Sequence, residues 1–320
     1  MGTEPVHVLY IAAKGRSGST ILGCILGAVE GFTYIGETQL GFFDLGAERL
    51  CGCGVPVAAC PTWQAVSRHA GRPLFEQHDG YRGLRTRHLP AALLGAEAWL
   101  RARVADELRE GERLCRAVRA ASGARVIVDS SKPPSWGLML GLMPSVVLHV
   151  VHLVRDPRAV AYSWTKDRPK PDRPGSRTVP QRPAVSAVTW TISNLWAEVC
   201  WRRSTGGRLR LRYEDFAAHP RAAIAAVVGL TGVGPARLPF VDERTVDLPP
   251  DHAAAGNGAR MARGLVAIRP DEEWRSALPA GARRRVAALT HPLRRRYGYA
   301  RRATTAWAPW RPAPEPASAI

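Results

Sequence analysis

Apolar residues fall along this chain in short runs, and each run ends in polar groups. Val6–Ala12 (VHVLYIA) is apolar throughout and is closed by a glycine turn, the pattern of a strand buried on both faces of a parallel sheet. The pattern returns at residues 32–35, 125–129 (RVIVD), 146–154 (VVLHVVHLV) and 209–213, whose surrounding text is RLRLRY. Helical spacing of apolar positions fills residues 19–29, 91–121, 157–163 and 185–203, and another helix follows Phe216. Strands alternating with helices predict a three-layer α/β/α domain around a central parallel sheet. In such sheets ligands bind at the carboxyl ends of the strands, so the polar strand-end clusters are expected to converge on one site. Residues 40–63 read as irregular, and residues 167–183, rich in Pro and Arg, read as a mobile surface loop. Trp190, Trp196 and Trp201 share part of one helix face and read as core. One domain over residues 1–300 is expected, followed by an Ala/Pro-rich, poorly ordered tail over 301–320.

Composition narrows the partners. The chain has 320 residues, 46% hydrophobic and 22% charged, enough for a sizeable core. Its formal net charge is +18, and among 45 basic residues only Lys14, Lys132, Lys166 and Lys170 are lysines. That charge suits a polyanionic ligand. The basic residues are scattered, without interleaved stacking aromatics, so nucleic-acid binding is not expected. No run approaches the roughly 18 apolar residues of a membrane span, and no signal peptide is read, so a cytoplasmic protein without membrane insertion is expected. Of six cysteines, three lie in Cys51-Gly-Cys53-Gly-Val-Pro-Val-Ala-Ala-Cys60. A zinc site would want four ligands, and the only histidine near them in sequence is His69. A local disulfide or a thiol-lined turn is the expectation, and no metal.

Three clusters carry candidate chemistry. Lys14-Gly-Arg16-Ser17-Gly18-Ser19-Thr20 turns from the first strand into a helix, placing backbone N–H groups and a helix N-terminus toward an anion. It lacks the Gly-Lys-Ser/Thr ending of a nucleoside triphosphatase loop. Arg155 closes the strand at 146–154, and Ser163 lies about two turns into the next helix, so the pair can grip a second phosphate. Asp129-Ser-Ser-Lys132 ends the strand at 125–129, with Asp129 placed to orient Lys132 or an arginine. A triphosphate needs one loop, a Lys and a magnesium-binding Asp; two separate clamps suit a nucleotide phosphorylated at both 5′ and 3′ positions.

With these motifs the chain resembles the PAPS-dependent sulfotransferases, whose donor is 3′-phosphoadenosine 5′-phosphosulfate (PAPS). Arg16-Ser17-Gly18-Ser19-Thr20 matches the 5′-phosphosulfate loop, and Arg155 with Ser163 matches the 3′-phosphate clamp. Gly36-Glu37-Thr38 and Arg212-Tyr213-Glu214-Asp215 also fit, and CGCGVPVAACPTW is similar to a segment of bacterial members. The resemblance covers about residues 6–275. Arg16 stands where many cytosolic members have Lys, as in Golgi-type and many bacterial enzymes. It implies a P-loop-like sulfotransferase fold and transfer of a sulfuryl group to an acceptor hydroxyl or amine, with 3′,5′-ADP released and no metal needed. It also implies Glu37 as the base, in a context similar to that of tyrosylprotein sulfotransferases, with Arg16 and Lys132 stabilising the leaving group. Tyr213 is implied near the adenine. Gly256, Asn257 and Arg260 are implied in a closing loop whose basic residue reaches the 3′-phosphate. His252 is the rival base.

The acceptor is not specified by these motifs. Residues 38–95 and 164–190, with Phe42, Phe43, Trp63 and Trp164, are expected to shape its pocket for a small molecule, carbohydrate or lipid. A homodimer is left open. The competing readings are a P-loop kinase or NTPase, and a non-catalytic binder of polyanions.

Overall fold

In the computed structural model of the protein, residues 4–38, 49–71, 74, 83–170, 172–173, 175–234 and 236–299 are described. Five parallel strands form the central sheet: β1 (Val6–Ala12), β2 (Phe32–Gly36), β3 (Val126–Asp129), β4 (Val146–Val154) and β5 (Arg208–Arg212). Their order is β2-β3-β1-β4-β5, all in parallel register. Alternate residues of a strand face opposite sides, so β1 feeds two cores. Val6, Val8, Tyr10 and Ala12 pack on one side, while Leu9, Ile11 and Ala13 pack on the other.

The first side is covered by α2 (Pro61–Ala70), α5 (Ala105–Ser122), α6 (Pro134–Leu142) and α8 (Pro183–Arg202). The second is covered by α1 (Ser19–Gly27), α9 (Tyr213–Ala218) and α10 (Pro220–Leu230). α7 (Pro157–Thr165) packs against α8 beside the sheet. Trp190 and Trp196 are buried in the core, as the stripe predicted, and Trp201 is half-buried.

Three features depart from the sequence expectation. Residues 91–121 are not one helix: α3 (Leu89–Leu93), α4 (Glu97–Arg103) and α5 are separated at Gly95, with φ 79°, and at Val104, with φ −131°. Apolar periodicity continues across both breaks, which hides them. The described residues of 167–183 are tied to the body of the molecule instead of looping free over its surface. Pro169 and Arg177 form an antiparallel bridge, and buried Asp172 pairs with Arg49 at 2.7 Å and Arg260 at 3.3 Å. Finally, a two-stranded antiparallel ribbon, β6 (Thr245–Leu248) with β7 (Gly264–Ala267), and the short helices α11 (Trp274–Ala277), α12 (Ala280–Leu289) and α13 (His291–Arg296) complete the described chain. The expected tail over 301–320 lies outside the described residues, as do Phe42 and Phe43.

Candidate functional site

The carboxyl ends of the five strands open into one cavity of about 890 Å³, within the size range of small-molecule sites. Its lining is strongly cationic. Lys14, Arg16, Arg49, Lys132, Arg155, Arg168, Lys170 and Arg173 face Glu37, Asp172 and Asp271. Three of the four lysines of the chain therefore line one cavity. That focuses a positive field in a partly desolvated space, a preformed attraction for a multiply charged anion.

The first wall is the turn from β1 to α1. Arg16 is the non-glycine residue with positive φ among those described, at 74°, a conformation costing about 1–2 kcal/mol for an L-residue. The bend is closed by Ser17 N donating to the Lys14 carbonyl. Gly18 caps α1 without a side-chain hydrogen bond, and the first turn carries no acidic residue, so its amides remain available to an anion. A Cβ at Gly18 would lie 2.6 Å from the Tyr213 ring, so only glycine lets the loop seat against that tyrosine. Lys14 and Arg16 lie 5.3 and 5.1 Å from the Trp164 ring centroid, and Trp164 Nε1 donates to the Gly15 carbonyl. Burial lowers the Lys14 pKa. Burial and then Arg168 pull the Arg16 guanidinium below its ordinary value, with Glu37 opposing. Such crowding is positive charge that a bound anion would relieve. Ser19 and Thr20 line the cavity. Ser17 does not, yet its Oγ is buried with no hydrogen-bond partner among the described residues.

Arg155, at the end of β4, joins this wall to the second. Its Nη1 donates to the Arg16 carbonyl at 3.0 Å, and its Nη2 pairs with Asp271 at 2.9 Å. Its guanidinium carbon lies 4.3 Å from the centroid of the Tyr213 ring, leaving Nε buried without a partner among the described residues. Tyr213 thus sits between Gly18 and Arg155, touching both expected clamps. Burial would raise the Asp271 carboxyl, but the Arg155 hydrogen bond and charge, with Lys166, bring it below the usual carboxylate range. Ser163, two turns into α7, lines the same cavity.

The candidate reactive pair lies just after β2 and just after β3. Glu37 and Lys132 form a salt bridge of 2.9 Å, both largely shielded from solvent. Each is fixed from behind. Glu37 N donates to the Ala255 carbonyl, and Thr38 Oγ1 donates to Asp129 Oδ2 at 3.0 Å. Tyr10 holds the Ser131 carbonyl and Tyr34 bonds Ser130 Oγ, so the segment leading to Lys132 is anchored to the sheet. Asp129 does not orient Lys132, contrary to expectation. It accepts from Ser131 N, Trp136 Nε1 and Thr38. Burial raises its pKa, and those hydrogen bonds offset the rise.

The remaining wall is the segment after β6. Gly256 and Asn257 line the cavity. Arg260 does not. Its side chain is fully buried, donating to the Ala253 and Leu50 carbonyls and pairing with Asp172. It braces the segment instead of reaching a ligand. His252 and Trp63 also turn away: Trp63 Nε1 donates to the His252 carbonyl at 2.7 Å, and His252 Nδ1 faces Cys60 Sγ at 3.3 Å. No histidine is among the described residues lining the cavity, which leaves Glu37 as the base candidate there. Lys14, Arg168 and Asp271 were not singled out from sequence. The scarcity of lysine could have flagged the first, but the other two sit in segments without local pattern.

No protein-family model and no curated protein matches the chain. Solved structures similar to it include the sulfotransferase domain from the Synechococcus PCC 7002 olefin synthase, at 21% identity over 91% of this chain and 96% of that one, with a TM-score of 0.44. Another is the sulfotransferase domain from the curacin biosynthetic pathway, at 15% identity over 90% and 98%, with a TM-score of 0.47.

Proposed function

We propose that the protein is a sulfotransferase taking its sulfuryl group from PAPS and passing it to a hydroxyl or amine. The observation that carries this reading is the junction of two anion clamps through Arg155, with Glu37 and Lys132 at the neighbouring strand ends of the same cavity. In this reading the amides of Gly18–Thr20 and the Arg16 side chain hold the 5′-phosphosulfate, while Arg155 and Ser163 hold the 3′-phosphate. Tyr213 lies beside the nucleotide, and Gly256 and Asn257 cover it.

The acceptor oxygen or nitrogen attacks sulfur as the bond from sulfur to the bridging oxygen breaks. Its proton goes to the Glu37 carboxylate, and negative charge grows on the departing phosphate of 3′,5′-ADP. Lys132 and Arg16 are the cations placed to stabilise that charge. Lys132 touches Glu37, so one ammonium serves both the base and the leaving side. The acceptor is proposed as a small molecule, carbohydrate or lipid, its pocket shaped in part by the segment between α7 and α8, and the enzyme as cytoplasmic. No described helix is long and apolar enough to cross a membrane.

Thermal denaturation with ligands tests the donor. At a hundredfold excess over Kd, 3′,5′-ADP should stabilise the protein by about 2.7 kcal/mol without magnesium. ATP with magnesium should do little. Stabilisation by ATP with magnesium and none by 3′,5′-ADP would overturn the proposal in favour of a kinase or NTPase.

A further inference from the structure

Outside the lining of the anion cavity, four metal-ligating side chains meet. Cys51, Cys53, Cys60 and His252 place their ligand atoms within 4.8 Å of one another. Cys60 Sγ lies 3.7 Å from Cys53 Sγ and 3.3 Å from His252 Nδ1. A tetrahedral zinc with bonds of about 2.3 Å to sulfur and 2.0–2.1 Å to nitrogen has sulfur–sulfur edges of ~3.8 Å and sulfur–nitrogen edges of ~3.6 Å. The two edges here are those of such a tetrahedron to within about 0.3 Å, and are far longer than the roughly 2.05 Å of a disulfide. All six cysteines are free thiols.

We infer that Cys51, Cys53, Cys60 and His252 form a structural zinc site of the closed Cys3His type. The surroundings are built for one. Cys51 N donates to the Val55 carbonyl and Gly54 N to the Cys51 carbonyl, folding the Cys-Gly-Cys turn tightly. A Cβ at Gly52 would fall 1.7 Å from Asp251 Oδ1, so glycine between the two cysteines is what lets the 251–252 segment come close enough to deliver His252. Trp63 clamps the His252 carbonyl, and Arg263 donates to the Gly52 carbonyl. With three thiolates the centre carries a net negative charge, which the arginine beside it balances. Cys51 and Cys60 are fully buried, and all four ligand positions are filled by protein. That marks a structural centre rather than a catalytic one. The fourth ligand comes from 192 residues beyond Cys60, not from His69 nearby. The metal would join the 51–60 loop to the segment that supplies Gly256 and Asn257 to the cavity. The site stands independently of what that cavity binds.

Zinc content of the full-length protein, purified under reductant without chelator, decides the matter. About one zinc per chain is expected, released when a mercurial titrates the thiols, and binding should have displaced protons from them. Cys53→Ser should lower the zinc content severalfold, while Cys115→Ala, at a buried cysteine elsewhere in the core, should leave it unchanged. Should Cys53→Ser fail to fold, the wild-type chain loaded with cobalt(II) gives the answer alone. Intense visible bands of tetrahedral cobalt with thiolate charge transfer support the site, and His252→Cys should shift them while preserving their intensity. Less than about a tenth of a zinc per chain, weak octahedral cobalt bands, or an intact mass showing a disulfide among Cys51, Cys53 and Cys60 would each overturn it.

Discussion

Two walls of the cavity meet at Gly36–Glu37 and are built in different ways. The strand-end wall, residues 14–20, 36–38, 129–132 and 155–163, hangs on a parallel sheet whose residues are almost wholly buried. The opposing wall, residues 49–60, 172 and 251–260, contains no strand of that sheet. It is held by long-range polar ties: Gly52 N to the Ala253 carbonyl, Ala254 N to the Ile35 carbonyl, and Arg260 bridging Ala253, Leu50 and Asp172. The sheet positions the candidate reactive groups through backbone register. The second wall positions a cover through a few side chains, each of which several segments depend on. Substitutions in the first wall should therefore change chemistry, and those in the second should change stability.

The largest effect is expected at Glu37. Glu37→Gln removes the proton acceptor while keeping the size of the side chain and leaving Thr38 on Asp129. Turnover with an acceptor found by screening against radiolabelled donor should fall about 10²–10⁴-fold. Affinity for 3′,5′-ADP, measured by calorimetry, should stay close to wild type. Near-normal turnover would place the base elsewhere, and the first wall would lose its claim to the chemistry.

Asp172 sharpens the other side of the contrast. It is the carboxylate that both Arg49 and Arg260 contact, and all three side chains are almost fully buried. Asp172→Ala leaves two guanidiniums without it, and breaking a buried pair in this way costs about 3–5 kcal/mol. The midpoint of chemical denaturation should drop accordingly, with kcat reduced far less than by Glu37→Gln. If Asp172→Ala unfolds at the wild-type midpoint, the polar ties do not hold the second wall.

This division also explains what the sequence disclosed. The sheet, its strand limits to within a residue or two, and the strand-end motifs were legible because each is written in contiguous residues: an apolar run sets the strand, and the next few residues set its chemistry. Lys132, Arg155 and Ser163 are legible in that way, Glu37 through the resemblance of its Gly-Glu-Thr motif, and the structure gathers all four into one cavity. The second wall has no such grammar. Arg260 looked like a ligand-seeking arginine in a glycine loop, since a buried partner such as Asp172, far off in the chain, leaves no local trace. His252 was invisible as a companion to the cysteines for the same reason. The ribbon of β6 and β7 escaped because its four-residue strands are too short for alternation to register against Gly and Arg neighbours.

Asp271 offers the smallest and most discriminating test, because it belongs to neither wall yet holds the arginine that joins the clamps. Its carboxylate pairs with Arg155 where a phosphate would sit in the proposed reading, and it is itself part-exposed. A pair of this kind is worth at most about 1 kcal/mol, and its negative charge opposes an incoming anion. Asp271→Asn keeps an acceptor for Arg155 while removing that charge. Affinity for 3′,5′-ADP should rise about three- to fivefold, since 1.4 kcal/mol corresponds to tenfold. The gain should shrink as ionic strength is raised, because the repulsion it removes is screened. Weaker binding by Asp271→Asn, at any salt concentration, would mean that the carboxylate positions Arg155 for the nucleotide instead of competing with it.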